Sequence, residues 1–113
     1  MSHSNYLSSH RLRWALTKTE LAHLIGYRRS GAVSRCETAV RMPTIRFVLA
    51  CEVIFGEPPR RLFPSLYAAV EETVMARAAF LDINIRDRFD AVAVRKRELL
   101  KLMADRADNR PLL

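Results

Sequence analysis

The sequence predicts an all-α protein, and three observations carry that expectation. No segment alternates apolar and polar residues with a sustained period of two. Apolar residues recur at helical spacing instead, and two of the three glycines, Gly26 and Gly56, directly follow such stretches. Glycine there takes the left-handed conformation that ends a helix without steric cost. Finally, Thr17-Lys18-Thr19-Glu20 has the pattern of a capping box: the Thr17 hydroxyl can accept from the Glu20 N–H while the Glu20 carboxylate reaches back to that of Thr17.

The elements follow in order. A first helix is expected over about residues 5–15, with Leu7 and Trp14 facing inward and Leu12 at the margin. The second starts at the Thr17 cap, buries Leu21, Ala22, Leu24 and Ile25, and stops at Gly26. So short a helix is marginal alone and depends on packing. After the turn Tyr27-Arg28-Arg29, Ser30 is the expected N-cap of a third helix over about 30–38, its hydroxyl binding the free N–H groups of Ala32 or Val33. Helical spacing gives that helix an inward stripe of Val33, Cys36, Glu37 and Val40 and an outward face of Gly31, Ser34, Arg35 and Thr38.

Met42-Pro43 marks a loop, and Thr44 caps a fourth helix carrying Ile45, Val48, Leu49, Cys51, Val53, Ile54 and Phe55. That apolar density predicts a central, nearly surrounded helix ended by Gly56. Pro58 suits the first turn of a short fifth helix closed by Leu62-Phe63-Pro64. Beyond it, Ser65 is expected to cap a helix to about Leu81 with Leu66, Val70, Val74 and Phe80 among its apolar residues. Asp90 is expected to cap another to about Ala107, with Val92, Leu99 and Met103 on one side.

Charge narrows the function. Among 113 residues, 19 are Lys or Arg and 12 are Asp or Glu, a net charge of +7. Residues 1–64 hold 10 basic and 4 acidic side chains, whereas 65–113 hold 9 and 8. A polyanionic partner is therefore expected, and on the first half. Neither a membrane-spanning run nor a signal-peptide pattern is present, which predicts a cytoplasmic location. Cys36 and Cys51 have no CxxC or Cys/His ligand spacing and read as buried free thiols. His3, His10 and His23 form no metal or nucleophile constellation with them. Neither an enzyme nor a metal or cofactor is expected, and the sequence presents no evident small-molecule ligand site.

These residues resemble the Xre family, the helix-turn-helix domains of the phage Cro and repressor type. The resemblance covers about residues 6–64 and rests on the order and spacing of LTKTELAHLIG (16–26), VSRCE (33–37), the Arg41-x-Pro43 loop and LACEVIFGEPPRRLFP (49–64). It implies a five-helix repressor-like helix-turn-helix domain over residues 1–64, followed by a C-terminal helical extension over 65–113. The implied function is sequence-specific binding of double-stranded DNA by a transcriptional regulator, read as a repressor, with helix 3 in the major groove.

The resemblance also assigns residues. Thr17 matches the family's cap of helix 2, with Glu20 as its partner, and Lys18 stands where the family contacts a DNA phosphate. Ser30, Gly31, Ser34 and Arg35 match its base-reading positions. Arg11 and Glu37 match an architectural ion pair between helices 1 and 3; no second carboxylate or paired histidine favours catalysis at Glu37. Arg28, Arg29, Arg41 and Arg46 suit phosphate contact by their charge, or are solvated surface arginines.

The chain departs from the family pattern in three places. Seven steps separate Gly26 from Val33 where familiar members have six, so the turn carries an additional residue. Ala39 stands where the loop usually has glycine. Gly31 removes a side chain from a reading position, either for close approach to DNA or to accommodate the longer turn. Base specificity then rests mainly on Arg35, whose planar fork can donate two bonds to guanine O6 and N7.

Fold logic adds a homodimer, since two recognition helices about one DNA turn apart read a palindromic operator. The C-terminal helices could pair with another subunit or fold back on the core, and Arg95-Lys96-Arg97 could meet phosphate or form a solvated face. The alternative function is an antitoxin-like or adaptor module whose C-terminal helices grip a protein partner.

Overall fold

The computed structural model describes residues 4–109. Among them are seven α-helices and no strand: α1 (Leu7–Arg13), α2 (Lys18–Ile25), α3 (Gly31–Glu37), α4 (Ile45–Phe55), α5 (Pro59–Leu62), α6 (Pro64–Ile85) and α7 (Ala91–Asp108). None of these helices is long and apolar enough to cross a membrane. The chain divides into two compact units between Ala68 and Ala69, a boundary that falls inside α6.

The N-terminal unit packs its short helices around Leu7, Leu21, Ala22, Val33, Cys36, Phe47, Cys51, Leu62 and Phe63. α2 lies against both α3 and α4, α1 against α3, and α4 against α5. The predicted capping box is complete: the Glu20 N–H donates to Thr17 Oγ1 at 3.0 Å, and the Thr17 N–H donates to Glu20 Oε1 at 2.8 Å. These bonds with Thr17 hold the Glu20 carboxyl below the usual carboxylate range. Gly26 (φ +116°) and Gly56 (φ +70°) end α2 and α4 in the left-handed region, as expected.

α1 corrects the apolar reading of its own face. It is shorter than 5–15, and Leu12 and Trp14 are 61% and 63% exposed, with the Arg13 guanidinium 5.9 Å over the Trp14 ring. The buried positions are Leu7 and Arg11, four residues apart. A charged side chain occupies the inward stripe, so an apolar periodicity assigns the face to the wrong residues. Asn5 fixes the start of this helix: its Oδ1 accepts from the Leu7 N–H, and its Nδ2 donates to the Cys36 carbonyl at 2.8 Å.

Similar corrections apply elsewhere. Leu24 is 54% exposed, leaving Leu21, Ala22 and Ile25 to pack α2. α3 ends at Glu37, so Thr38 caps it instead of lying on its face, and Val40 is exposed because the period is broken before it. Ala39 sits at φ +59° while the N–H groups of Ala39 and Val40 close on the carbonyls of Cys36 and Arg35. That is the turn that usually takes glycine. Ala15 (φ +57°) ends α1 through the same bonding, to Leu12 and Arg11, without a glycine to signal it.

α4 is capped by Thr44 Oγ1 as predicted, but it is not surrounded. Phe47 and Cys51 are buried, whereas Ile45, Leu49 and Val53, at i, i+4 and i+8, form an exposed apolar stripe. Burial raises both thiols, Cys51 to about 12, and both cysteines are free. In the fifth helix Pro59, not Pro58, occupies the first turn; Pro58 is the N-cap.

The C-terminal unit is a helical hairpin of the remainder of α6 and α7. α6 begins at Pro64, so Ser65 lies inside it instead of capping it, and it runs on past Leu81 to Ile85. Asp90 caps α7 as predicted, accepting from the Ala93 N–H at 3.0 Å. Asp82 and Arg97 meet across the hairpin at 3.5 Å, and Arg97 Nη1 donates to the Arg86 carbonyl at 3.4 Å. Its buried residues, among those described, are Ile85 and Ala93. Leu100, Met103, Ala104 and Ala107 are half-buried, while Val92 and Leu99 of the predicted stripe are exposed, as are Val70, Val74 and Phe80.

Candidate nucleic-acid interface

α3 is seated by two kinds of contact. Val33 and Cys36, three residues apart, enter the core, while Glu37 is drawn under α1 by Arg11. Arg11 Nε donates to Glu37 Oε2 at 2.6 Å and Nη2 to Oε1 at 3.2 Å; Nη1 donates to the Leu16 carbonyl at 2.8 Å. The two side chains are 9% and 5% exposed. The Glu37 bond raises the Arg11 guanidinium above its ordinary range, against the opposing effect of burial. A buried, bidentate pair therefore fixes the roll of α3 about its own axis.

Ser30 stands directly before α3 but does not cap it with its hydroxyl. Its backbone is already helical (φ −77°, ψ −4°), so its side chain makes no cap hydrogen bond. Ser30 and Ser34 are half-buried and Arg35 is exposed. Ser34 gives its carbonyl to Thr38 Oγ1 at 2.9 Å.

Gly31 lies under the end of the Arg35 side chain. A Cβ built on it would lie 3.0 Å from Arg35 Nη1, so the Arg35 side chain folds toward the helix N-terminus across the space that a larger residue would fill. Neither residue's sequence position alone reveals that coupling. The i, i+4 spacing was the available signal.

The arginines fall into two groups. Arg28 and Arg29 from the α2–α3 link, Arg35 from α3 and Arg41 from the following loop line one open cavity of about 590 Å³. Tyr27, Cys36 and Phe47 line it as well, with the Tyr27 and Phe47 ring centroids 6.3 Å apart. No carboxylate lines this cavity, and none of the four arginines forms an ion pair among the described residues. Ser30, Ser34, Lys18 and Arg46 are outside its lining; Lys18 is exposed at the first position of α2, and Arg46 is exposed on α4.

Comparisons with protein-family models, curated proteins and solved structures find no match. Chemically, the cluster offers planar, permanently charged forks suited to bidentate contact with phosphate or guanine. It offers no acid–base pair, and no group of three or more His, Cys, Asp or Glu residues able to hold a metal occurs among the described residues. Tyr27 and Phe47 border this cavity without a signal in the sequence that marks them for it. Phe47, between Arg46 and Val48, is not among the apolar residues read from the sequence for the fourth helix, yet it is buried in the core.

Proposed function

We propose that the protein is a sequence-specific double-stranded DNA-binding transcriptional regulator of the Xre type, acting as a repressor, that inserts α3 into the major groove. One observation carries this reading: a short helix is locked to the core by Val33, Cys36 and the Arg11–Glu37 pair, while unneutralised arginines surround it. A basic surface with no carboxylate partners attracts a polyanion, and a helix fixed in roll can present one side chain reproducibly to base edges.

Within this reading, Arg35 contacts guanine, with Ser30, Gly31 and Ser34 facing the same groove. Lys18, Arg28, Arg29, Arg41 and Arg46 contact phosphate. The C-terminal hairpin pairs two chains, so that two copies of α3 read a palindrome about one helical turn apart. The hairpin's ten exposed large apolar residues between Val70 and Leu102, against two buried residues, support such pairing. The same surface favours the second reading, an adaptor or antitoxin-like module that holds a different protein through α6 and α7.

Binding titrations over a salt series test the assignment. Arg35→Ala is expected to lose discrimination at one base pair per half-site, worth about 1–3 kcal/mol. Lys18→Ala is expected to weaken specific and nonspecific duplexes alike and to flatten the salt dependence by about one unit of slope. Equal losses on all sequences for Arg35→Ala would remove it from base reading.

A further inference from the structure

A second polar tether reaches α3 from the residues just before α1. The Asn5 side chain uses both ends of its amide: Nδ2 donates to the Cys36 carbonyl at 2.8 Å, and Oδ1 accepts from the Leu7 N–H at 3.0 Å. Exchanging the two ends would set donor against donor and oxygen against oxygen, so the surroundings fix the amide's orientation. The anchor is itself held. The Tyr6 N–H donates to the Leu62 carbonyl at 2.9 Å, and Leu7 is fully buried.

The place of this bond on α3 is what matters. Arg35, Cys36 and Glu37 are consecutive, so Asn5 and Arg11 grip the two residues that directly follow the one assigned to base reading. The pair with Glu37 acts through a side chain and opposes rotation of α3. The Cys36 carbonyl belongs to the backbone and points along the helix axis, so its bond opposes sliding of α3 past α1. At the other end of α3, Ser30 adds no side-chain bond.

We propose that Asn5 is a positioning residue for DNA recognition, its bond to the Cys36 carbonyl setting the depth at which Arg35 meets the base edges. This role rests on the DNA-binding reading. Paired hydrogen bonds to a base edge weaken steeply with displacement and misalignment, whereas phosphate contacts from long arginine side chains supply charge without reading sequence. Loss of the Asn5 tether therefore lowers discrimination more than total affinity.

Asn5→Asp and Asn5→Ser separate the two halves of the amide. Both keep an oxygen for the Leu7 N–H, but aspartate sets an acceptor against the Cys36 carbonyl and serine removes the donor. The probes are the duplex that the native full chain selects from a random-sequence pool and a scrambled duplex of the same composition. Asn5→Asp is expected to lower the ratio of specific to nonspecific affinity about ten-fold, and Asn5→Ser to lower it less. The salt slope is expected to stay unchanged, because the phosphate contacts remain. With Arg35→Ala already present, neither substitution is expected to lower the ratio further, a coupling that a merely structural role does not produce. Circular dichroism and urea unfolding confirm that each variant is folded.

A ratio unchanged by both substitutions overturns the proposal, as does an equal loss on both duplexes or a loss of the same size with and without Arg35. The native chain keeps the two readings apart. Without a preference for any duplex, the DNA-binding reading ends and this role with it; a preference indifferent to Asn5 ends this role alone.

Discussion

Glu37→Gln is expected to destabilise the N-terminal unit by about 3–5 kcal/mol. The substitution preserves side-chain shape but leaves the Arg11 charge without a counter-ion at a side chain only 9% exposed. Small domains have a total stability of roughly 5–15 kcal/mol, so a loss of this size leaves little margin. Because the Glu37 bond raises the folded-state pKa of Arg11, the guanidinium's stabilising contribution is fully present below its unfolded-state pKa. It is lost only as pH rises through the folded value, far into the alkaline range.

Urea unfolding of the variant measures the loss. The double variant Arg11→Met/Glu37→Leu, which replaces both charges with apolar groups, is expected to recover most of it. A Glu37→Gln loss below about 1 kcal/mol would show that the ion pair does not hold α3.

Under the proposed pairing of two chains through the hairpin, replacing Val74 and Leu99 together with lysine is expected to leave a monomer and to lower affinity for a palindromic duplex by about 100-fold or more. Both side chains are exposed on the hairpin, and neither contributes to its buried pair Ile85 and Ala93. An apolar surface large relative to the buried interior needs a cover, and a second copy provides the same surface about a two-fold axis. The affinity loss follows because two linked recognition helices bind as one event, whereas separated helices bind independently. Light scattering reads the mass directly. A wild-type monomer, or a variant that remains dimeric, would contradict pairing through this surface.

The parts legible in the sequence are those determined by local chemistry. Thr17, Glu20, Gly26, Thr44, Gly56 and Asp90 mark helix ends by bonds or backbone angles that depend on immediate neighbours, and the structure has them where expected. Arg11 and Glu37 as a pair came through the family resemblance and are found 2.6 Å apart.

Burial was less legible wherever a residue broke the rule that inward means apolar. Arg11 displaced Trp14 and Leu12 from the inner face of α1, and small Ala93 displaced Val92 and Leu99 in α7. Val40 failed for a different reason, because the Ala39 turn ended the period on which its assignment depended. The site itself was read as a row of arginines. Its recess depends on residues brought from α3, its two flanking segments and Phe47 of α4, a proximity that linear spacing does not encode.

Selection of duplexes from a random-sequence pool by the full chain, at moderate salt and in parallel with Arg35→Ala, tests the DNA-binding account most directly. One enriched palindromic motif is expected for the native chain, with half-sites about one helical turn apart. The Arg35→Ala chain is expected to enrich the same motif with one guanine position per half-site relaxed. Retention of duplexes without any enriched motif, or the same motif unrelaxed in Arg35→Ala, would contradict it.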